Sequence, residues 1–101
     1  MKHMVSCTLK ADRVDENERL IAAVFAALNE ARPAGLRYAS FRRDDGVSFV
    51  HLVSHDFADG ANPLTALPQF KAFAAGIRER CVEPPARAEL TEIGSYGFFD
   101  R

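Results

Sequence analysis

The spacing of apolar residues along this chain changes period several times, and each change marks an element. Residues 4–10 alternate small polar and apolar side chains, the period of two that sends neighbours to opposite faces of a β-strand. Asp15 followed by Glu18 has the form of a capping box and predicts a helix start there, because a cap oxygen and a carboxylate three residues on satisfy free backbone amides. Leu20, Ile21, Val24, Phe25 and Leu28 then fall on one helical stripe, with Ala22, Ala23, Ala26 and Ala27 supporting propensity. Pro33 and Gly35 close that helix, since proline lacks a donor and glycine takes conformations other residues avoid.

Two β-prone runs follow, residues 36–43 and 47–55, joined by the hairpin-forming turn Asp44-Asp45-Gly46. The break-rich stretch Asp59-Gly60-Ala61 leads to Asn62, an N-cap with Pro63 at the first position of a short helical turn over 63–67. Pro68 opens a second helix whose stripe is Phe70, Phe73, Ala74, Ile77 and Cys81, ending before Pro84-Pro85. Residues 88–96 alternate again as a fourth strand and run into an aromatic tail, Tyr96-Gly97-Phe98-Phe99.

The order βαββαβ predicts a single α+β domain over 1–101, ferredoxin-like, with an antiparallel four-stranded sheet and both helices on one face. The other face is left over. Its expected members are Met4, Ser6, Thr8, Tyr38 and Ser40, with either His51 and Val53 or their neighbours. A mixed apolar face of this kind needs cover, and a second copy supplies it economically, giving a homodimeric α/β barrel with or without a small-molecule ligand between.

Composition narrows the function classes. A chain of 101 residues hides only about two-thirds of its unfolded surface, so a covering partner helps it. Thirteen basic against fourteen acidic residues leave a net charge of −1, without the excess that nucleic-acid binding leaves. RNA recognition motifs share this element order, and Gly46, Phe49 and Val50 imitate their third strand. Asp45 replaces the basic residue, however, and Val47 and Leu52 stand where stacking aromatics are needed. No window approaches the roughly 20 apolar residues of a membrane span, and the first residues lack a secretory pattern, so the expected location is cytoplasmic. Cys7 and Cys81, without metal-ligand spacing, are expected as reduced core thiols.

The candidate chemistry is sparse. His51 and His55 have H-x3-H spacing, but four residues of strand separate their Cα atoms by roughly 13 Å, too far for one ion, so no metal site is expected. One of them lining a cavity would serve as general base or hydrogen-bond donor, since histidine titrates near neutrality. Tyr38, Ser40 and Arg42 share one side of strand two, a row able to orient an anionic or phenolic ligand. Glu92 becomes a perturbed carboxylate if it enters the cavity. Catalytic candidates are therefore His51, Tyr38 and Glu92, and ligand-binding candidates are Ser40, Arg42 and His55. The competing reading is ordinary structure: rim histidines, a solvated edge strand and a surface ion pair. Phosphate-loop, dinucleotide, nucleophile-elbow and CxxC motifs are all missing, and no cofactor is expected.

The stretch Leu64-Thr65-Ala66-Leu67-Pro68-Gln69-Phe70-Lys71-Ala72-Phe73 resembles the short turn, proline and F-x-x-F helix start of the antibiotic biosynthesis monooxygenase superfamily. The strand Phe49-Val50-His51-Leu52-Val53-Ser54 before it follows that family's order. The resemblance implies a homodimer of facing four-stranded sheets with a small-molecule cavity. It implies one of two activities, oxygenation of quinol-like or polyketide substrates without metal or flavin, or haem degradation. The chain has no tryptophan, no histidine near Pro68 to Phe73 and no asparagine in strand one, which argues against haem degradation. The expected function is thus a cofactor-independent monooxygenase acting on a small aromatic or quinol-type metabolite. The alternative is a non-catalytic dimeric ligand-binding or stress-response module of the same fold.

Overall fold

A computed structural model describes residues 1–57 and 62–98; the predicted break at Asp59-Gly60-Ala61 and Phe99 of the aromatic tail lie outside the described residues. The chain runs β1 (Lys2–Thr8), a 3-10 turn (Ala11–Arg13), α1 (Val14–Ala31), β2 (Leu36–Arg42), β3 (Ser48–His55), α2 (Pro63–Ala66), α3 (Pro68–Ala75), α4 (Ile77–Arg80) and β4 (Ala86–Leu90). The four strands form one antiparallel sheet in the order β2-β3-β1-β4, the ferredoxin-like arrangement expected from the sequence.

The α1 stripe packs as its spacing demands. Val24 is fully buried with Val53 of β3, Leu64 of α2 and Phe73 of α3, while Leu20, Ile21, Leu28 and Phe70 press against that cluster. A second cluster of Cys7, Leu9, Phe49 and Cys81 closes the other end of the sheet, and both thiols are free. In the β2–β3 turn, Asp45 Oδ1 accepts from the amides of Val47 and Ser48 at 3.0 and 2.8 Å. Gly46 adopts the left-handed φ of 79° that closes the turn.

Four elements depart from the sequence reading by more than a single residue. Helix α1 begins at Val14 rather than at an Asp15 cap, and its N-cap residue makes no side-chain cap bond. Glu18 is drawn away to Arg42, while Arg13 grips Glu16 through Nε at 2.6 Å and Nη2 at 3.1 Å. The second helix is broken at Gly76, where Arg80 folds back to donate Nη2 to the Phe73 carbonyl at 2.6 Å, a group an unbroken helix would commit to residue 77. Strand β1 starts at Lys2, two residues earlier than the alternation suggests. Strand β4 is shifted most, to Ala86–Leu90, because pairing with β1 ends where Leu90 meets Lys2; residues 91–98 carry no regular structure.

Facing is also corrected. The register sets Val5 beside His51, His51 beside Ser40, and Tyr38 beside Val53. Val53 is packed on α1 and α3, and the Tyr38 ring stacks on Phe25 of α1 at 5.2 Å. Tyr38, Ser40, His51 and Val53 therefore face the helices. The open face carries Met4, Ser6, Thr8, Ala39, Phe41, Val50, Leu52, Ala88 and Leu90 by alternation from those positions. Among the described residues no helix is long and apolar enough to cross a membrane.

Candidate functional site

Between the helix-facing side of the sheet and the α2–α3 layer lies a cavity of about 190 Å³. Its lining is largely apolar, with Val5 and Val53 on the floor and Leu64, Phe70, Phe73 and Ile77 above. Its position follows from local sequence chemistry. Asn62 Oδ1 accepts from Leu64 N–H at 2.9 Å and caps α2, and Pro63 and Pro68 each start a helix, so the chain turns sharply enough to hang α2 and α3 over the strands.

The rings at this site form a connected set. Tyr38 lies nearly parallel to His51 at 6.2 Å, Phe73 meets the edge of His51 at 5.5 Å, and Phe70 joins Tyr38 at 6.4 Å and Phe73 at 6.0 Å. Spacings of this size are those at which aromatic pairs attract beyond simple burial. His51 is 3% exposed at the centre of the sheet.

Its two nitrogens have different surroundings. Nδ1 shares a hydrogen bond with Ser40 Oγ at 2.7 Å, while Tyr38 Oη, at 3.5 Å, is too far to compete. Nε2 is sealed from water and has no partner among the described residues. When Nδ1 carries the proton and donates it to Ser40, Nε2 presents a lone pair; in the other tautomer it presents an N–H. Burial keeps the Tyr38 phenol above its ordinary value and hence protonated at neutral pH.

Burial also pushes His51 down to about 4. The folded ring is then neutral across the physiological range, whereas in the unfolded chain it takes a proton near 6.5. Acid therefore favours the unfolded state: this group costs nothing above pH 6.5 and destabilises the fold progressively as pH falls towards 4. At about 1.4 kcal/mol per unit, the loss at pH 4.5 is roughly 2–3 kcal/mol. Urea unfolding at pH 7 and pH 4.5 should show His51→Phe losing correspondingly less stability than the parent. Equal losses would assign the acid sensitivity to other groups.

The remaining candidates are placed elsewhere. Ser40 stands behind His51 rather than in the cavity wall, and it fixes the ring. Arg42, at the end of β2, pairs with Glu18 of α1 at 2.6 Å, on the helix side but away from the cavity. His55 is buried, accepts from the Phe57 amide at Nδ1 and stacks on Phe57 at 5.9 Å, outside the cavity lining. Glu92 lies beyond β4, exposed, and pairs with Lys2 at 3.3 Å. Among the described residues no group of three His, Cys, Asp or Glu is placed to hold a metal ion. His51 and Tyr38 are the two sequence candidates that meet at the cavity.

Two features escaped the sequence reading. His3 lines the same cavity, and its Nδ1 is also sealed without a partner. Extending the strand-one alternation back through Cys7, Val5 and His3 places it on the face of His51. The other is the aromatic lid of Phe70 and Phe73, read from the sequence only as core.

No protein-family profile matches the sequence, and no curated protein is similar to it. Solved structures are similar. Rv0793 from Mycobacterium tuberculosis superposes with a TM-score of 0.74 at 16% identity, over 93% of this chain and 95% of that one. A candidate antibiotic biosynthesis monooxygenase from Nitrosomonas europaea gives 0.74 at 13%, over 95% and 92% of the two chains. SnoaB, a cofactor-independent oxygenase from Streptomyces nogalater solved as a point mutant, gives 0.67 at 20%, over 95% of each.

Proposed function

We propose that this chain, whose fold is that of the antibiotic biosynthesis monooxygenase-like superfamily, is a cofactor-independent oxygenase of a small hydroxylated aromatic compound. The compound binds between the sheet and the α2–α3 layer with a ring hydroxyl against His51 Nε2. One observation carries the reading: a neutral, buried imidazole offers an unpartnered nitrogen to a cavity lined mostly by apolar and aromatic side chains. An unpaired buried nitrogen costs about 1–3 kcal/mol, which a ligand hydroxyl recovers.

His51 has a defined task in such a reaction. With Nδ1–H held by Ser40, Nε2 accepts a hydrogen bond from the hydroxyl and takes its proton as the ring gives up electrons to dioxygen. The substrate supplies the electrons itself. For 1,4-dihydroxynaphthalene, one oxygen atom enters the ring, the other leaves as water, and the four-electron product is 2-hydroxy-1,4-naphthoquinone. Simple autoxidation gives 1,4-naphthoquinone and hydrogen peroxide instead, so product analysis separates the two. Oxygen uptake above the protein-free rate, yielding the hydroxyquinone, is the expected result. Binding of the diol with no added uptake would instead favour the non-catalytic ligand-binding module, and absence of both would remove this reading.

The open face belongs to the same proposal. Phe41 and Leu90 are 48% and 40% exposed there, and a groove of about 570 Å³ runs past Arg37, Ala39, Leu52 and Phe98. A second copy laid on this face forms the homodimer expected of the barrel. Light scattering at micromolar concentration should give about 22 kDa, twice the 11.2 kDa of one chain. Leu52→Asp should return it to the single-chain mass, and a parent protein already at that mass would refute the dimer.

A further inference from the structure

We propose that His3 is a second positioning residue for the ligand, so that the site selects aromatic compounds with oxygen on two sides of the ring over those with one. This rests on the reading of the cavity given above. Strand register places His3 opposite Val53 and Val5 opposite His51, so the two histidines are diagonal neighbours on one face of the β1–β3 pair. Such neighbours have Cα atoms about 7–8 Å apart, close enough for both rings to reach one flat compound lying across them.

The environment of His3 supports a ligand contact rather than a structural one. Its Nδ1 is sealed from water yet bonded to nothing, although Glu89 and Arg87 flank it on β4. Burial and the Arg87 charge both hold the ring below its usual value, so it reaches the cavity uncharged. Val5, Val53, Leu64 and Phe73 of the same lining have no polar atom to offer, and the polar side chains of Asn62 and Thr65 are engaged at the α2 cap, where Asn62 Oδ1 accepts from Leu64 N–H and Thr65 Oγ1 donates to the Asn62 carbonyl. Two orphaned nitrogens in one small cavity are satisfied together by one molecule with two hydroxyl groups. A site built to pair a hydroxyl discriminates against the analogue lacking it, because the pocket nitrogen then stays unpaired.

The test is calorimetric titration under argon with 1,4-dihydroxynaphthalene and 1-naphthol, which differ by one hydroxyl. The parent should bind the diol about tenfold more tightly, the worth of one hydrogen bond. His3→Phe should weaken the diol to the level of 1-naphthol and leave 1-naphthol unchanged, and His3→Gln, which keeps polar atoms there, should restore part of the difference. His51→Phe should weaken both compounds. A parent without preference, or a preference that survives in His3→Phe, overturns the role of His3 while the cavity reading stands. If the parent binds neither compound, both fall.

Discussion

Replacing Arg80 with alanine is expected to lower the unfolding free energy by about 3–5 kcal/mol. Arg80 is 2% exposed although charged, and no carboxylate is paired with it among the described ion pairs. It is held instead by neutral groups: Nε donates to Asn17 Oδ1 at 3.0 Å, Nη2 donates to the Phe73 carbonyl, and the guanidinium lies 5.4 Å from the Phe73 ring centre. Truncation strands two buried acceptors and opens a void beneath α3. For a chain of this length, each kcal/mol shifts the melting temperature by roughly 4–8 °C, so a fall exceeding 12 °C is expected. Arg80→Met, which keeps the volume and loses the donors, should recover only part of it. A shift under 4 °C for Arg80→Ala would show that the buried guanidinium contributes little.

The largest functional effect is expected at His51. Removing a positioned general base slows a reaction by about 10²–10⁴-fold, so His51→Phe should reduce kcat/KM for diol oxygenation by at least two orders of magnitude. It should not damage the fold. Phenylalanine occupies the same position between Phe73 and Tyr38, and removing a buried nitrogen that has no partner offsets the lost hydrogen bond to Ser40, so the melting temperature at pH 7 should change little. That opposition separates catalysis from folding. A variant with undiminished turnover would exclude His51 from the chemistry, and the oxygenation would then need another base.

The elements were legible in the sequence where period and stop signals agreed. Leu20 to Leu28 reads as one stripe and packs as one, and Asn62-Pro63 reads as a cap and caps α2. Facing was not legible on strands two and three, because their polar members are the buried ones. Tyr38, Ser40 and His51 look like residues for solvent or a partner, yet they lie under the helices, Ser40 hydrogen-bonded to His51 and the Tyr38 ring beside it. Hydrophobicity alone cannot anticipate a polar pair that pays its own desolvation.

The Gly76 break was hidden for a related reason. The apolar stripe continues through Ile77 to Cys81, and the interruption comes from a long-range arrangement in which Arg80 reaches Asn17, 63 residues away. Gly76 leaves room for it, since a Cβ there would stand 2.9 Å from Arg80 Nη1. Of the candidate site, His51 and Tyr38 were singled out by residue type. His3 precedes residue 4, where the alternation of strand one becomes legible, and Glu92 belongs to an alternation that outlasts the actual pairing of β4.

The central claim is that an aromatic hydroxyl meets His51 Nε2 inside the cavity. Its most direct measurement is the nitrogen-15 spectrum of the histidine rings during anaerobic titration with 1,4-dihydroxynaphthalene, with His51 assigned by comparison with His51→Phe. The Nε2 resonance of His51 should move on saturation while the nitrogens of His55, outside the cavity, stay in place. Binding that leaves the His51 nitrogens unmoved would contradict it.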